Sequence, residues 1–365
     1  MNNNNDFDKL RLLRSPNIGP VTYRQLITRF GTAAEALKAI PDLAARGGKR
    51  RFSAVSEVSI ENEMEATRRA GGSYLFFGDP AYPALLAQLD NAPPAFTYRG
   101  NHRLLDRMTV ALVGARNASA GACRFARQLA LELGREDLAV VSGLARGIDT
   151  AAHIGALDSG TIAVIAGGID VVYPPENEAL QGEIAEKGLL IAEAPPGTEP
   201  RARHFPYRNR IIAGLSLGTV VVEAAPRSGS LITARLAAEM GREVMAIPGS
   251  PLDPRARGCN QLIREGATLV QNAEEIAELI KPFDERMQRT YARQAVEEKA
   301  PGEYNYESEA ERQAIIDLLG MTYVSVDELV RQSGAPPSVV QLVLLELELA
   351  GRLERGAGAK VRMVG

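Results

Sequence analysis

Between Thr109 and about Ile280 one pattern recurs seven times: a short β-branched run (TVALVGA, LAVVSG, TIAVIAGG, LLIAEA, GTVVVEA, EVMAIPG and TLVQ in turn) followed by a segment of helical period. Strands that read as continuous apolar runs are covered on both faces, and parallel strands need helical crossovers to join them. The pattern therefore predicts an α/β fold, a doubly wound, mostly parallel Rossmann-like sheet. In such sheets ligands collect at the carboxyl ends of the strands, beside the switch in strand order, so a site is expected in the loops that leave those strands.

The flanks have other periods. Residues 1–70 are expected to form a small helical domain: apolar positions recur at three and four in KLRLLRSPNIGPVTYRQLITRFGTAAEALKAI, and Pro16, Gly19 and Pro20 break the run into a helix, a tight turn and a helix, as in helix-hairpin-helix (SAM-like) modules. Two short β-like runs between Gly72 and Gly100 lead into the core domain, placed at 71–281. The charged, weakly apolar stretch 282–305 reads as a linker. Residues 306–365, three helices and a hairpin, read as a winged helix. Its recognition helix, Pro337 to Ala350, carries Glu346 and Glu348 and no lysine or arginine, and residues 306–365 hold six basic against nine acidic side chains. Phosphates repel such a face, so this domain is expected to contact protein, either its own neighbour or a regulator, and not duplex DNA.

Several function classes are excluded early. Cys123 and Cys259 lie far apart without a CxxC partner, which removes a disulfide framework and a cysteine zinc site. The valine-rich runs are too short and too often interrupted to cross a bilayer, so the expectation is a cytoplasmic protein with no membrane contact. His102, His153 and His204 are scattered, without a nucleophile motif or metal-ligand spacing. Asp149, Asp170, Glu193 and Glu223 fall near strand ends, where carboxylates also serve to hold arginines and helix amides. No catalytic residue, metal or cofactor is expected, and the chain is read as a non-enzyme.

Binding is better supported. The chain has a net charge of −3, yet Arg201 to Arg210, RARHFPYRNR, packs four arginines around Phe205 and Tyr207 with no carboxylate. Such a block suits a polyanion. Five strand-end loops carry glycine or a small hydroxyl residue: Gly114 to Ser119, Ser142 to Gly147, Ala166 to Gly168, Pro196-Gly197, and Ser228 to Ser230. Glycine admits close approach, and free amides at helix starts attract negative charge. A dinucleotide is disfavoured, because the first turn, GARNASAG, places Arg116 where the second fingerprint glycine belongs, and no acidic residue ends the second strand. Single-stranded nucleic acid fits better: Arg116, Arg146, Arg208 and Arg210 can track phosphates while Phe205 or Tyr207 stacks an unpaired base. The competing role for Arg208 and Arg210 is to cap carboxylates such as Glu193 or Glu223.

The ordered motifs VGARNAS, SGLARGID, AGGIDVVYPPEN, HFPYRNRIIAGLS, VVVEAAPRSGSLITA and IPGS resemble the bacterial DNA-processing protein DprA (Smf) family across residues 109–270. The resemblance implies a homodimer, joined through the sheet domain, that binds incoming single-stranded DNA in natural transformation, shields it and helps load the RecA recombinase, without catalytic turnover. The family's DNA pocket maps onto Arg116, Gly143, Arg146, Phe205, Arg208, Asn209, Arg210, Ser228, Gly229, Ser230 and Thr233; Arg201 and Arg203 stand where some relatives carry lysines. An alternative is a LOG-type nucleoside monophosphate phosphoribohydrolase, whose fold is related. Aligning the GT of its PGGxGTxxE motif on Gly229-Ser230 puts Thr233 in the place of the glutamate that serves its chemistry.

Overall fold

The structure, a computed structural model, describes residues 3–49, 51–282, 309–356 and 358–364. The expected linker, beyond its first residue, lies outside the described residues. Contacts divide the chain into two compact units: residues up to Asn62 together with the carboxyl-terminal segment, and the segment that begins at Glu63.

The larger unit is built on a nine-stranded sheet, and all seven runs named above form strands of it. In chain order these are β1 (Ser73–Phe76), β2 (Ala95–Gly100), β3 (Thr109–Val113), β4 (Ala139–Ser142), β5 (Thr161–Gly168), β6 (Leu189–Ala194), β7 (Gly218–Val221), β8 (Glu243–Ala246) and β9 (Thr268–Leu269). The spatial order is β1-β2-β6-β5-β4-β3-β7-β8-β9. Every pairing from β6 through β9 is parallel, whereas β2 joins β6 and β1 joins β2 antiparallel. Strand order therefore reverses between β3 and β7, which is where such a fold opens a crevice.

β3 shows why both faces are covered. Val110 and Leu112 enter one core with the helices Ala120–Arg135 and Ile148–Ala156; Ala111 and Val113 enter another with the helix His204–Leu215. A period of two in an all-apolar strand feeds two layers at once.

The smaller unit joins the two ends of the sequence. Its helices are α1 (Asn3–Arg14), α2 (Pro20–Phe30) and α3 (Ala33–Arg46), and the winged helix supplies Glu309–Asp317, Val326–Ser333, Pro337–Leu349 and a three-stranded sheet. The helix Pro337–Leu349 has two apolar stripes. Val340, Val343, Leu344 and Leu347 face the winged helix's own core, while Leu342, Leu345 and Leu349 share a core with Leu12, Leu26, Ile40 and Leu43. A helix that is apolar all round is buried on both sides. Backbones meet closely: a Cβ on Gly47 would lie 2.0 Å from the Glu346 carbonyl oxygen. Glu346, 2% exposed, sits 3.7 Å from Arg46 and 3.4 Å from Arg312. Gln25 donates to Gln341 at 2.7 Å, and Asn17 to the Leu349 carbonyl at 3.1 Å. The protein contact expected of this acidic helix is thus made with the chain's own amino-terminal helices.

Candidate nucleic-acid interface

The loops that leave β3, β4, β5, β6 and β7 lie at the carboxyl ends of the parallel strands, and they carry every residue singled out above or lead into its helix. The structure sorts these residues into an outer and an inner set. Arg116, Arg146, Arg201, Arg203 and Gly229 are exposed and Phe205 and Ser228 are partly exposed, whereas Gly143, Arg208, Asn209, Arg210, Ser230 and Thr233 are buried.

In the outer set, the Arg116 guanidinium lies over the Phe205 ring, 4.6 Å from its centroid, and Phe205 meets Tyr173 at 5.6 Å. A guanidinium stacked on a ring keeps its edge donors free for an anion. Phe205 and Tyr173 also wall a shallow recess with Gly143, Ala145 and Gly167. Arg146 is 3.5 Å from Glu176, both side chains being about 60% exposed, a solvated pair that costs little to exchange. Among the described residues Arg116, Arg201 and Arg203 have no carboxylate within 4.0 Å. Arg227, exposed after β7 and equally without one, is a fifth outer cation that the sequence reading missed, although it stands directly before Ser228 in APRSGS.

The inner set corrects the sequence expectation for Arg208 and Arg210 as phosphate-tracking groups. Arg208 is 5% exposed; its Nη1 donates to the Gly143 carbonyl at 2.6 Å and also to that of Val164, tying the end of β4 to β5. Burial pushes its pKa down to about 10, with Asp149 opposing the shift, so it stays cationic at neutral pH. Arg210 donates to both oxygens of Glu193, at 2.6 and 2.7 Å, the competing role foreseen for one of the pair. Gly143 is committed likewise: its amide goes to Asp149, its carbonyl to Arg208, and a Cβ there would lie 2.5 Å from Arg208 Nη1. Asn209 donates to the Gly229 carbonyl at 3.4 Å, and the Ser228 and Ser230 hydroxyls bond each other at 2.7 Å. Thr233 is 1% exposed.

The loop amides are also less free than the glycine pattern suggested, because the strand-end carboxylates take them. Asp149 Oδ2 accepts from Gly143 and Ala145, Asp170 Oδ1 from Gly197 at 2.8 Å, and Glu223 from the Ser119 amide at 2.9 Å and the Ser119 hydroxyl at 2.8 Å. These bonds make the loops rigid. Leu144, a non-glycine residue at φ +56°, is held in that unfavourable conformation by its amide bond to His153 Nε2 and by Asn177, which donates to its carbonyl.

His153 accepts at Nε2, which leaves the proton on Nδ1, 2.7 Å from Thr161 Oγ1. Burial lowers its pKa from 6.5 to about 3. The unfolded chain therefore binds a proton below pH 6.5 that the folded chain refuses, and stability falls as pH drops through that window, by about 1.4 kcal/mol per unit. Burial lifts Asp149, which contributes in the opposite sense: its share is present at low pH and is lost as pH rises through its folded value. The loss between pH 6.5 and 5 in thermal melts should accordingly shrink in a His153→Asn variant; an unaltered pH profile would show that His153 is not its source.

A doubly wound sheet with cations grouped at its carboxyl edge, joined in one chain to a helical module and a winged helix, defines a class of nucleic-acid-handling proteins, and comparison with known proteins narrows it. Residues 73–281 match the family described as DNA recombination-mediator protein A, residues 3–66 the DprA-like N-terminal HHH domain, and residues 299–359 the DprA winged helix domain. The chain belongs to the DprA (Smf) family. It is 48% identical to the DNA processing protein DprA of Streptococcus pneumoniae over 200 residues, 54% of this chain and 71% of that protein. The X-ray structure of DprA from Streptococcus pneumoniae superposes with a TM-score of 0.67 at 36% identity, over 75% of this chain and 98% of that one. A Helicobacter pylori DprA structure, described for its single-stranded DNA binding mode, has a TM-score of 0.52 at 29% identity, over 57% of this chain and 94% of that one.

Proposed function

We propose that this protein binds single-stranded DNA across the carboxyl ends of β3 to β7, as a recombination mediator that shields the strand and helps load a RecA-type recombinase, by binding alone and without turnover. The observation that carries the reading is Arg116 stacked on Phe205 in the middle of an exposed group of arginines, on a chain whose total charge is acidic. The outer arginines take phosphates, Phe205 offers a face to an unpaired base, and Arg208, Arg210 and the strand-end carboxylates hold the loops that present them. Dimerisation through the sheet domain fits the outer edge of β9, the last strand in the sheet order, where Leu269 is 43% exposed. The phosphoribohydrolase alternative is not favoured, since Thr233 is buried in the position of its glutamate.

Labelled single- and double-stranded oligonucleotides titrated at two salt concentrations test the reading. Single strands should bind more tightly, with a log–log slope of about −0.7 per neutralised phosphate. Arg116→Ala should flatten that slope by about one phosphate's share and leave the melting temperature unchanged. A slope equal to that of the unaltered chain would remove Arg116 from the interface, and ribose phosphate released from AMP would restore the enzyme reading.

A further inference from the structure

A second cavity, of about 230 Å³, opens on the far side of β3, between the start of the helix Ala120–Arg135 and the loop that follows β8. None of the outer or inner residues sorted above lines it, although Ser119 and Glu223, which fix the loop after β3, do. Its walls include Phe125, Val222, Ile247 and Pro248, and its polar lining includes Glu223 and Asp253, with no lysine, arginine or histidine. The lining therefore disfavours a phosphate and suits an apolar group that carries hydrogen-bond donors.

The cavity is pre-formed. Glu223 is 8% exposed and fixed through both carboxylate oxygens by Ser119, with lone pairs remaining on each oxygen. The rim loop is locked by Asn260, which accepts from the Gly249 amide at 3.1 Å and donates to its carbonyl at 2.9 Å. Asp253 is paired with Arg255 at 3.0 Å, which leaves Glu223 as the inner acceptor. Arg116 and Ser119 belong to one loop and are three residues apart, at most about 11 Å of chain, so a strand held at Arg116 brings neighbouring bases within reach of the cavity.

We infer that this cavity receives one base of the bound strand and favours bases with an exocyclic amine, with Glu223 accepting that amine's hydrogen bond. Cytosine offers an N4 amine to a carboxylate, whereas thymine turns a carbonyl oxygen toward it. This rests on the single-strand reading and adds a base preference that phosphate contacts cannot supply.

The test compares short oligo-dC and oligo-dT, both pyrimidine tracts, on the full chain. Oligo-dC should bind roughly tenfold more tightly, the scale of one good carboxylate–amine contact. Two variants should cut the ratio below about twofold, and the second should do so while the affinity for oligo-dT stays. Glu223→Gln keeps the shape and supplies a donor that suits thymine. Gly121→Leu narrows the cavity from its wall, where an added Cβ meets only Ser119 Oγ, at 3.9 Å. Equal affinity for the two tracts in the unaltered chain would overturn the inference, as would a cytosine preference that survives both variants. A preference for free cytidine over thymidine, with none between the oligonucleotides, would overturn the assignment to the strand. If neither tract bound in a salt-dependent, Arg116-dependent way, the interface itself would have failed, a result distinct from all of these.

Discussion

Arg208→Met should lower the melting temperature of the sheet domain by about 10 °C and abolish single-strand binding with it. The guanidinium is buried and bonds the carbonyls of Gly143 and Val164. Methionine fills the volume but leaves the buried Gly143 and Val164 carbonyls without that donor, and each buried polar group left unsatisfied costs about 1–3 kcal/mol. For a domain of this size each kcal/mol is worth about 2–4 °C. The β4 loop loses its anchor at the same time, and with it the platform for Arg146. Arg116→Ala is the contrast, since an exposed arginine should weaken binding without moving the melt. If Arg208→Met melts with the unaltered chain and still binds, Arg208 is neither a scaffold nor a contact.

That contrast marks where sequence reading ends for this chain. The central parallel strands were legible because a strand buried on both faces must be apolar throughout, whereas β9, exposed at both residues, showed only as the short run TLVQ. The two short runs near Tyr74 and Phe96 were visible as β-like, but their antiparallel attachment to β6 was not, since edge pairing depends on partners distant in sequence. Arg116, Arg201 and Arg203 face solvent while Arg208 and Arg210 do not, and a list of basic residues cannot separate them. One clue was present: the run after Arg210, IIAGL, is apolar without a polar face, so its helix has to be buried, and Arg208 and Arg210 stand at its entrance. Gly143 has a packing reason to be small that the sequence does not show, since Arg208 lies against it. The continuous apolar character of VVQLVLLELELA likewise foretold a helix covered on two sides, but not that its second cover lies some 300 residues earlier in the chain.

Deleting residues 309–365 should therefore unfold a segment at the opposite end of the sequence. The deletion strips Leu342, Leu345 and Leu349 from the core they share with α1, α2 and α3, and it removes the Arg312 and Arg352 side chains that bond the Arg46 and Gly47 carbonyls. Burial of a leucine is worth about 1.5–3 kcal/mol, so three supply on the order of 5–9 kcal/mol. That equals the whole stability of many small domains, and three short helices cannot replace it from their own core. Amide exchange over residues 3–46 should become fast. Leu345→Asp in the full chain should produce the same loss with the winged helix's own core left intact, which separates broken docking from a missing domain. The sheet domain should keep its melt and its single-strand affinity in both proteins, because the arginines proposed to hold the strand all belong to the unit that begins at Glu63. Protected amides in residues 3–46 after either change would show that the amino-terminal helices stand alone, and a collapse of single-strand affinity would move the interface onto the terminal unit.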